Sequence, residues 1–177
     1  FFFSSRRRHT RFRNDTGVQT CALPIFYRSD SEVSEVNARA AREPVTVSEE
    51  LYCLLRYAGQ LSAWTEGAFD VASGPLVKAW GYVQGPRRVP TEEALQQARQ
   101  QSGFSLVKLS DPGRFPEVRT VQFLKPGVEL NFWSIGKGYA LDVVGVWFGE
   151  HFPEQPVLLH GGKSGVLARG TPAGHSG

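Results

Sequence analysis

From Leu51 to Leu61 the apolar residues Leu51, Leu54, Leu55, Ala58 and Leu61 recur every three or four positions, which lines one face of an α-helix. Ser48 stands where an N-cap oxygen is needed, and Val47 and Tyr52 are spaced to clasp the helix start as a hydrophobic staple. Two shorter helices carry the same kind of signal. Asp30 as N-cap, Glu32 in the first turn, and Val33 and Val36 one turn apart predict a helix running to about Arg42, where Pro44 ends it. Thr91, followed by Glu92 and Glu93, opens a third helix that Gly103 closes. Between the last two lies WTEGAFDVASGPLVKAWGY, rich in aromatics and glycine, which predicts a buried loop and a short helix.

Beyond Gly103 the period shortens. Leu106 to Leu109, Thr120 to Phe123 and Val128 to Phe132 are short, apolar or β-branched runs separated by Asp-Pro-Gly and Pro-Gly turns, and they predict strands. SIGKGYALDVVGVWF follows as strand, glycine turn and helix. Pro156 to Leu159 then predicts a buried strand, Gly161–Gly162 a turn, and Gly165 to Ala168 another strand. The expected class is α+β: N-terminal helices followed by a mostly antiparallel sheet carrying one crossover helix. No internal repeat is visible.

Charge changes this picture only at the N-terminus. The formal net charge of +3 is misleading, because residues 1–25 hold five of the twenty Lys and Arg and one of the seventeen acids. Residues 26–177 therefore carry 15 basic against 16 acidic side chains, and the basic excess says nothing about their ligand. The first 25 residues show no helical or strand periodicity and lack the apolar region and cleavage site of a signal peptide. They resemble translated sequencing-adapter sequence, with a basic arm or a native disordered start as the other readings. The expected division is a tail over 1–25 and one domain over 26–177. A nucleic-acid-binding module would rest on the tail alone, so no nucleic acid is expected. No apolar run approaches the 18 or so residues of a membrane helix. Cys21 and Cys53 stand far apart without metal-ligand spacing.

The densest chemical signal is Asn131-Phe-Trp-Ser-Ile-Gly-Lys-Gly-Tyr-Ala-Leu-Asp142. Two glycines where a helix begins let backbone approach a ligand, and the helix start offers N–H groups and a positive dipole end to phosphate. Lys137 adds a cation there. The segment has neither the P-loop ending nor the three-glycine dinucleotide spacing. A plain glycine turn with a solvated lysine fits the same residues.

This segment resembles the Leu-Asp-Leu-Gly-Gly-Ile-Ala-Lys-Gly-Tyr-Ala-Val-Asp signature of the FAD:protein FMN transferase (ApbE) family. Three further stretches are similar to that family in the same order. Tyr27-Arg-Ser-Asp-Ser-Glu-Val-Ser-Glu-Val-Asn37 is like its aromatic-x-Pro-x-Ser-Glu-x-Ser-x-Leu-Asn stretch. Gly67-Ala-Phe-Asp-Val-Ala-Ser-Gly-Pro-Leu-Val-Lys-Ala-Trp-Gly-Tyr82 is like its Gly-x-Phe-Asp-Pro-Thr-Val-Gly-Pro-Leu-Val-x-x-Trp-Gly-Phe. Val157-Leu-Leu-His-Gly-Gly-Lys163 stands where the family has Val-Asn-x-Gly-Gly-Asp. Among the departures, Asn131 and Lys163 each replace an Asp, and Ser29 and Val71 stand where Pro is usual.

The resemblance implies an incomplete domain of that family. It further implies binding of FAD with Mg²⁺, and transfer of the FMN half to a Thr or Ser hydroxyl of a target protein with release of AMP. A flavin-binding protein of the same fold that does not transfer is the alternative. By position, the Gly136 carbonyl is an expected metal ligand. Ser134, Ile135, Gly136, Lys137, Gly138, Gly161 and Gly162 are expected to bind the cofactor, with Lys137 and the helix start facing its phosphates, and Tyr27, Ser31 and Asn37 along the flavin or adenine. No catalytic group is assigned. Asp70 is expected as an N-cap, Asp142 and His160 as structural residues, and Tyr27 and Phe69 serve equally as core aromatics. The family's later Asp and Thr metal ligands have no counterpart before Gly177, so this chain alone is expected to be inactive. Relatives of this kind are often exported, but this chain carries no signal that fixes a compartment.

Overall fold

The computed structural model describes residues 3–5, 8–10, 31–83, 86–110, 118–162 and 165–171. It divides into two compact units, one of Ile25–Phe132 and one of Phe1–Pro24 with Trp133–Gly177. The α+β class is as expected, and every ladder among the described residues is antiparallel.

In the unit Ile25–Phe132, helix α1 (Glu32–Arg39) is capped by Ser31, whose hydroxyl accepts the Ser34 N–H at 3.2 Å. The cap is thus one residue later than the expected Asp30, which lies outside the described residues, and the helix ends before Arg42 in turns onto the Arg39 carbonyl. Helix α2 (Glu49–Trp64) is capped by Ser48 as expected. The cap is itself held by α1, because Glu32 accepts the Ser48 N–H at 2.9 Å and its hydroxyl at 2.6 Å. The predicted stripe is buried from Leu51 to Ala58, along with Val47 and Tyr52 of the staple. Helix α3 (Gly74–Ala79) carries Pro75 in its first turn, and α4 (Glu92–Gln100) is capped by Thr91. The Glu93 carboxyl lies below its ordinary range, first through its own backbone N–H and then through the Thr91 hydroxyl.

Three strands form the ladder of this unit. Numbered after the N-terminal strands β1 (Phe3–Ser5) and β2 (Arg8–Thr10), they are β3 (Val45–Thr46), β4 (Val107–Leu109) and β5 (Thr120–Phe123), in the order β3-β5-β4. The register sets Val45 against Val121 and Val107 against Phe123, and all four are buried. Val36, Leu51, Leu55, Val71 and Val121 form the innermost layer. The two-residue strand β3 was not expected so close to Pro44.

Val128 to Phe132 is where expectation and structure part. Val128, Leu130 and Phe132 are buried in alternation, as a strand would be, yet among the described residues the segment joins no ladder. Its backbone is matched elsewhere. The Asn37 amide accepts the Leu130 N–H at 2.8 Å and donates to its carbonyl at 3.1 Å. The Glu129 carbonyl accepts from Gly74 and the Asn131 N–H reaches the Val71 carbonyl at 2.7 Å. A side chain and a loop satisfy the groups that a partner strand would.

The second unit contains β1 (Phe3–Ser5) and β2 (Arg8–Thr10), paired as a hairpin where the sequence predicts no element. Helix α5 (Gly136–His151) and strands β6 (Val157–His160) and β7 (Val166–Arg169) complete it. The hairpin β6–β7 packs on α5 through glycines. A Cβ on Gly145 would sit 3.1 Å from the methyls of Leu167, and one on Gly149 would run into the Arg169 guanidinium, which itself donates to the Gly145 carbonyl at 3.2 Å. Among the described residues no helix is long and apolar enough to cross a membrane.

Candidate functional site

The glycine turn of the sequence is the first turn of α5. Ile135 occupies the cap position (φ −114°, ψ −26°) and offers no side-chain acceptor, and Gly136, Lys137 and Gly138 follow as the first three helical residues. The amides of 136 to 138 precede the helical ladder, whose first bond runs from the Tyr139 N–H to the Ile135 carbonyl at 3.0 Å. Such a helix start, uncapped by a side chain, is suited to an anion. No strand leads into it: residues 133–135 form a turn, so the predicted strand–turn–helix is a turn–helix.

The three residues differ in setting. Gly136 is buried, whereas Lys137 and Gly138 are exposed. A Cβ on Gly138 would meet nothing within 4 Å, so no internal packing demands a glycine there. Ser134 is exposed and Ile135 half-buried.

Gly161 and Gly162 follow β6. The Gly161 N–H closes the turn on the Gly165 carbonyl at 2.8 Å, and a Cβ on Gly161 would lie 3.1 Å from the Leu141 methyl of α5. Gly162 takes φ +76°, a conformation that favours glycine, and faces open space. The structure therefore brings the Gly161–Gly162 turn against the helix that begins with Gly136 to Gly138.

The remaining candidates have structural duties or lie elsewhere. Ser31 is buried as the α1 cap, with its hydroxyl also 3.0 Å from that of Ser34. Asn37 is committed to Leu130. Tyr27 and Lys163 lie outside the described residues, as does Cys21. Asp70 is not the cap of α3, a position held by Ser73. Instead, its carboxylate accepts from the Ala72 N–H, the Ser62 hydroxyl and the Phe104 N–H at 2.7–2.8 Å, tying together three segments. Its place two residues before Ala72 fits an Asx turn, and that spacing was the available signal. Asp142 and His160 are exposed, His160 opposite Val166 in the β6–β7 ladder. The Gly136 carbonyl is one neutral oxygen, and among the described residues no three His, Cys, Asp or Glu stand together. These residues by themselves do not fit Mg²⁺, which binds protein through carboxylates.

The fold agrees with that of known proteins. The ApbE family model matches residues 25–175, and the chain belongs to the ApbE family. It is 33% identical over 141 residues to the FAD:protein FMN transferase of Vibrio cholerae, covering 77% of this chain and 40% of that protein. The Treponema pallidum protein of the same name is 31% identical over 136 residues, covering 77% of this chain and 38% of its own length. The apo crystal structure of the Pseudomonas stutzeri flavinyl transferase ApbE superposes with a TM-score of 0.74 at 27% identity, over 86% of this chain and 46% of that one. The chain thus spans about two-fifths of the length of the curated relatives it matches.

Proposed function

We propose that a protein of the relatives' length containing this chain transfers FMN from FAD to a Thr or Ser hydroxyl of a target protein, with the FAD pyrophosphate seated at the start of α5. The observation that carries this is the uncapped helix start with open space before Gly138, in a chain of the ApbE family. In the reaction the acceptor oxygen forms a bond to the FMN phosphorus, the bridging P–O bond breaks, and AMP leaves with its phosphate while the hydroxyl gives up its proton. The helix start holds the pyrophosphate oxygens with amides and dipole, and the exposed Lys137 adds a positive charge beside them. Mg²⁺ belongs to the expected reaction, but the described residues do not form its site.

The test is Gly138→Ala. The substitution meets no protein atom and gains about 1 kcal/mol of helix propensity, so folding is expected to hold or improve. A methyl in the approach to the amides should weaken FAD binding in calorimetric titration. In a protein of the relatives' length, mass spectrometry after incubation with FAD, Mg²⁺ and a threonine peptide should find an FMN adduct. The 177-residue chain alone should give none above the control without protein. Unchanged FAD affinity in Gly138→Ala would place the pyrophosphate elsewhere. Binding of FAD without any adduct in the longer protein would establish the non-catalytic alternative.

A further inference from the structure

The loop after α3 displays more apolar surface than a solvated turn requires. Trp80 is 39% exposed, Tyr82 52%, Val83 38% and Val89 82%. Backbone hydrogen bonds hold its described residues. Gly81 (φ +73°) and Tyr82 donate back to Lys78 and Val77 at 2.9 and 3.1 Å, and a Cβ on Gly81 would strike the Pro86 carbonyl. The returning chain then hands the Arg88 N–H to the Trp80 carbonyl at 3.3 Å. That return sets the Arg87 guanidinium 5.1 Å from the centre of the Tyr82 ring. The exposed Arg87 is thereby held beside the exposed Tyr82 ring, and the exposed Arg88 joins the chain of Trp80 through its backbone.

The loop itself is basic, and Glu92 and Glu93 follow it at the start of α4. No Asp or Glu occurs from Trp80 to Thr91. Nearby Lys78 is matched by Glu129 at 2.5 Å, but among the described residues neither Arg87 nor Arg88 has a carboxylate partner. Trp, Tyr and Arg are the residues that carry most of the energy at protein interfaces.

We propose that Trp80, Tyr82, Arg87 and Arg88 form a docking surface for an acidic segment of a protein partner. The choice of protein over lipid rests on the transferase reading, which requires a protein substrate. Carboxylates would pair with the two guanidiniums, and an apolar side chain among them would cover the rings.

The test uses the 177-residue chain and two synthetic peptides of equal length, each with one Phe and one Thr, one rich in Asp and Glu and the other in Lys. Tryptophan fluorescence and calorimetry should show the acidic peptide binding, more weakly as salt rises. Arg87→Glu with Arg88→Glu, and separately Tyr82→Ala, should each weaken it by about tenfold while leaving the circular-dichroism melt unchanged. Arg87→Gln with Arg88→Gln, a milder pair, guards against misfolding and should weaken it less. Equal binding of the basic peptide, or acidic binding that survives the charge reversal, would overturn the proposal. So would co-sedimentation with phosphatidylglycerol vesicles that depends on these residues, which would make the loop a membrane contact. FAD titration separates this from the transferase reading. Loss of FAD affinity in the loop variants would assign the loop to the flavin site, whereas absence of FAD binding in the unsubstituted protein speaks against the transferase alone.

Discussion

Asn37 shows how one amide can stand in for a strand. Its side chain reaches across 93 positions of sequence to make both backbone hydrogen bonds of Leu130, a residue only 3% exposed. Asn37→Ala would leave a buried N–H and a buried carbonyl without partners, each costing roughly 1–3 kcal/mol. The expected loss is about 3 kcal/mol in urea denaturation. Asn37→Asp keeps the acceptor and loses the donor, so it should fall between the two. A loss below about 0.5 kcal/mol for Asn37→Ala would mean that water replaces the amide and that the segment is more open than its burial implies.

At the scale of elements, the helices were legible because their signals are local. Ser48, Val47, Tyr52 and the Leu51–Ala58 stripe lie within one stretch and act within it. The segment Val128–Phe132 was legible in its burial and not in its pairing, since alternation reports which side chains go inside but not what meets the backbone. The helix start at Gly136 was legible from two glycines and a lysine, whereas the unpaired approach to it was not. Helix α5 and β7 add a dependence that no local pattern displays, a helix kept thin at Gly145 and Gly149 so that Leu167 and Arg169 can close on it. Gly145→Val should cost about 2 kcal/mol through overpacking against Leu167. Hydrogen exchange should quicken at Val157–His160 and Val166–Arg169 and stay unchanged in the β3-β5-β4 ladder. Uniform acceleration in both ladders would show that the effect is not confined to this contact.

For the whole molecule the open question is where the family domain begins. The family match starts at residue 25, and the basic excess of the chain is confined to the residues before it. Yet Phe3–Ser5 and Arg8–Thr10 pair as a hairpin, and β1 runs close to β6 within the same compact unit. Two strands of three residues form a ladder too short to be stable by itself. We propose that residues 26–177 are the domain and that the hairpin is dispensable to it. Deleting residues 1–25 should then shift the melting temperature by less than about 2 °C, the low end of what 1 kcal/mol produces in a domain of this size. Hydrogen exchange at Val157–His160 should be unaltered as well. A fall of several degrees, with faster exchange confined to β6, would make the hairpin a working part of the unit that holds α5. The glycine site would then depend on a segment outside the family match.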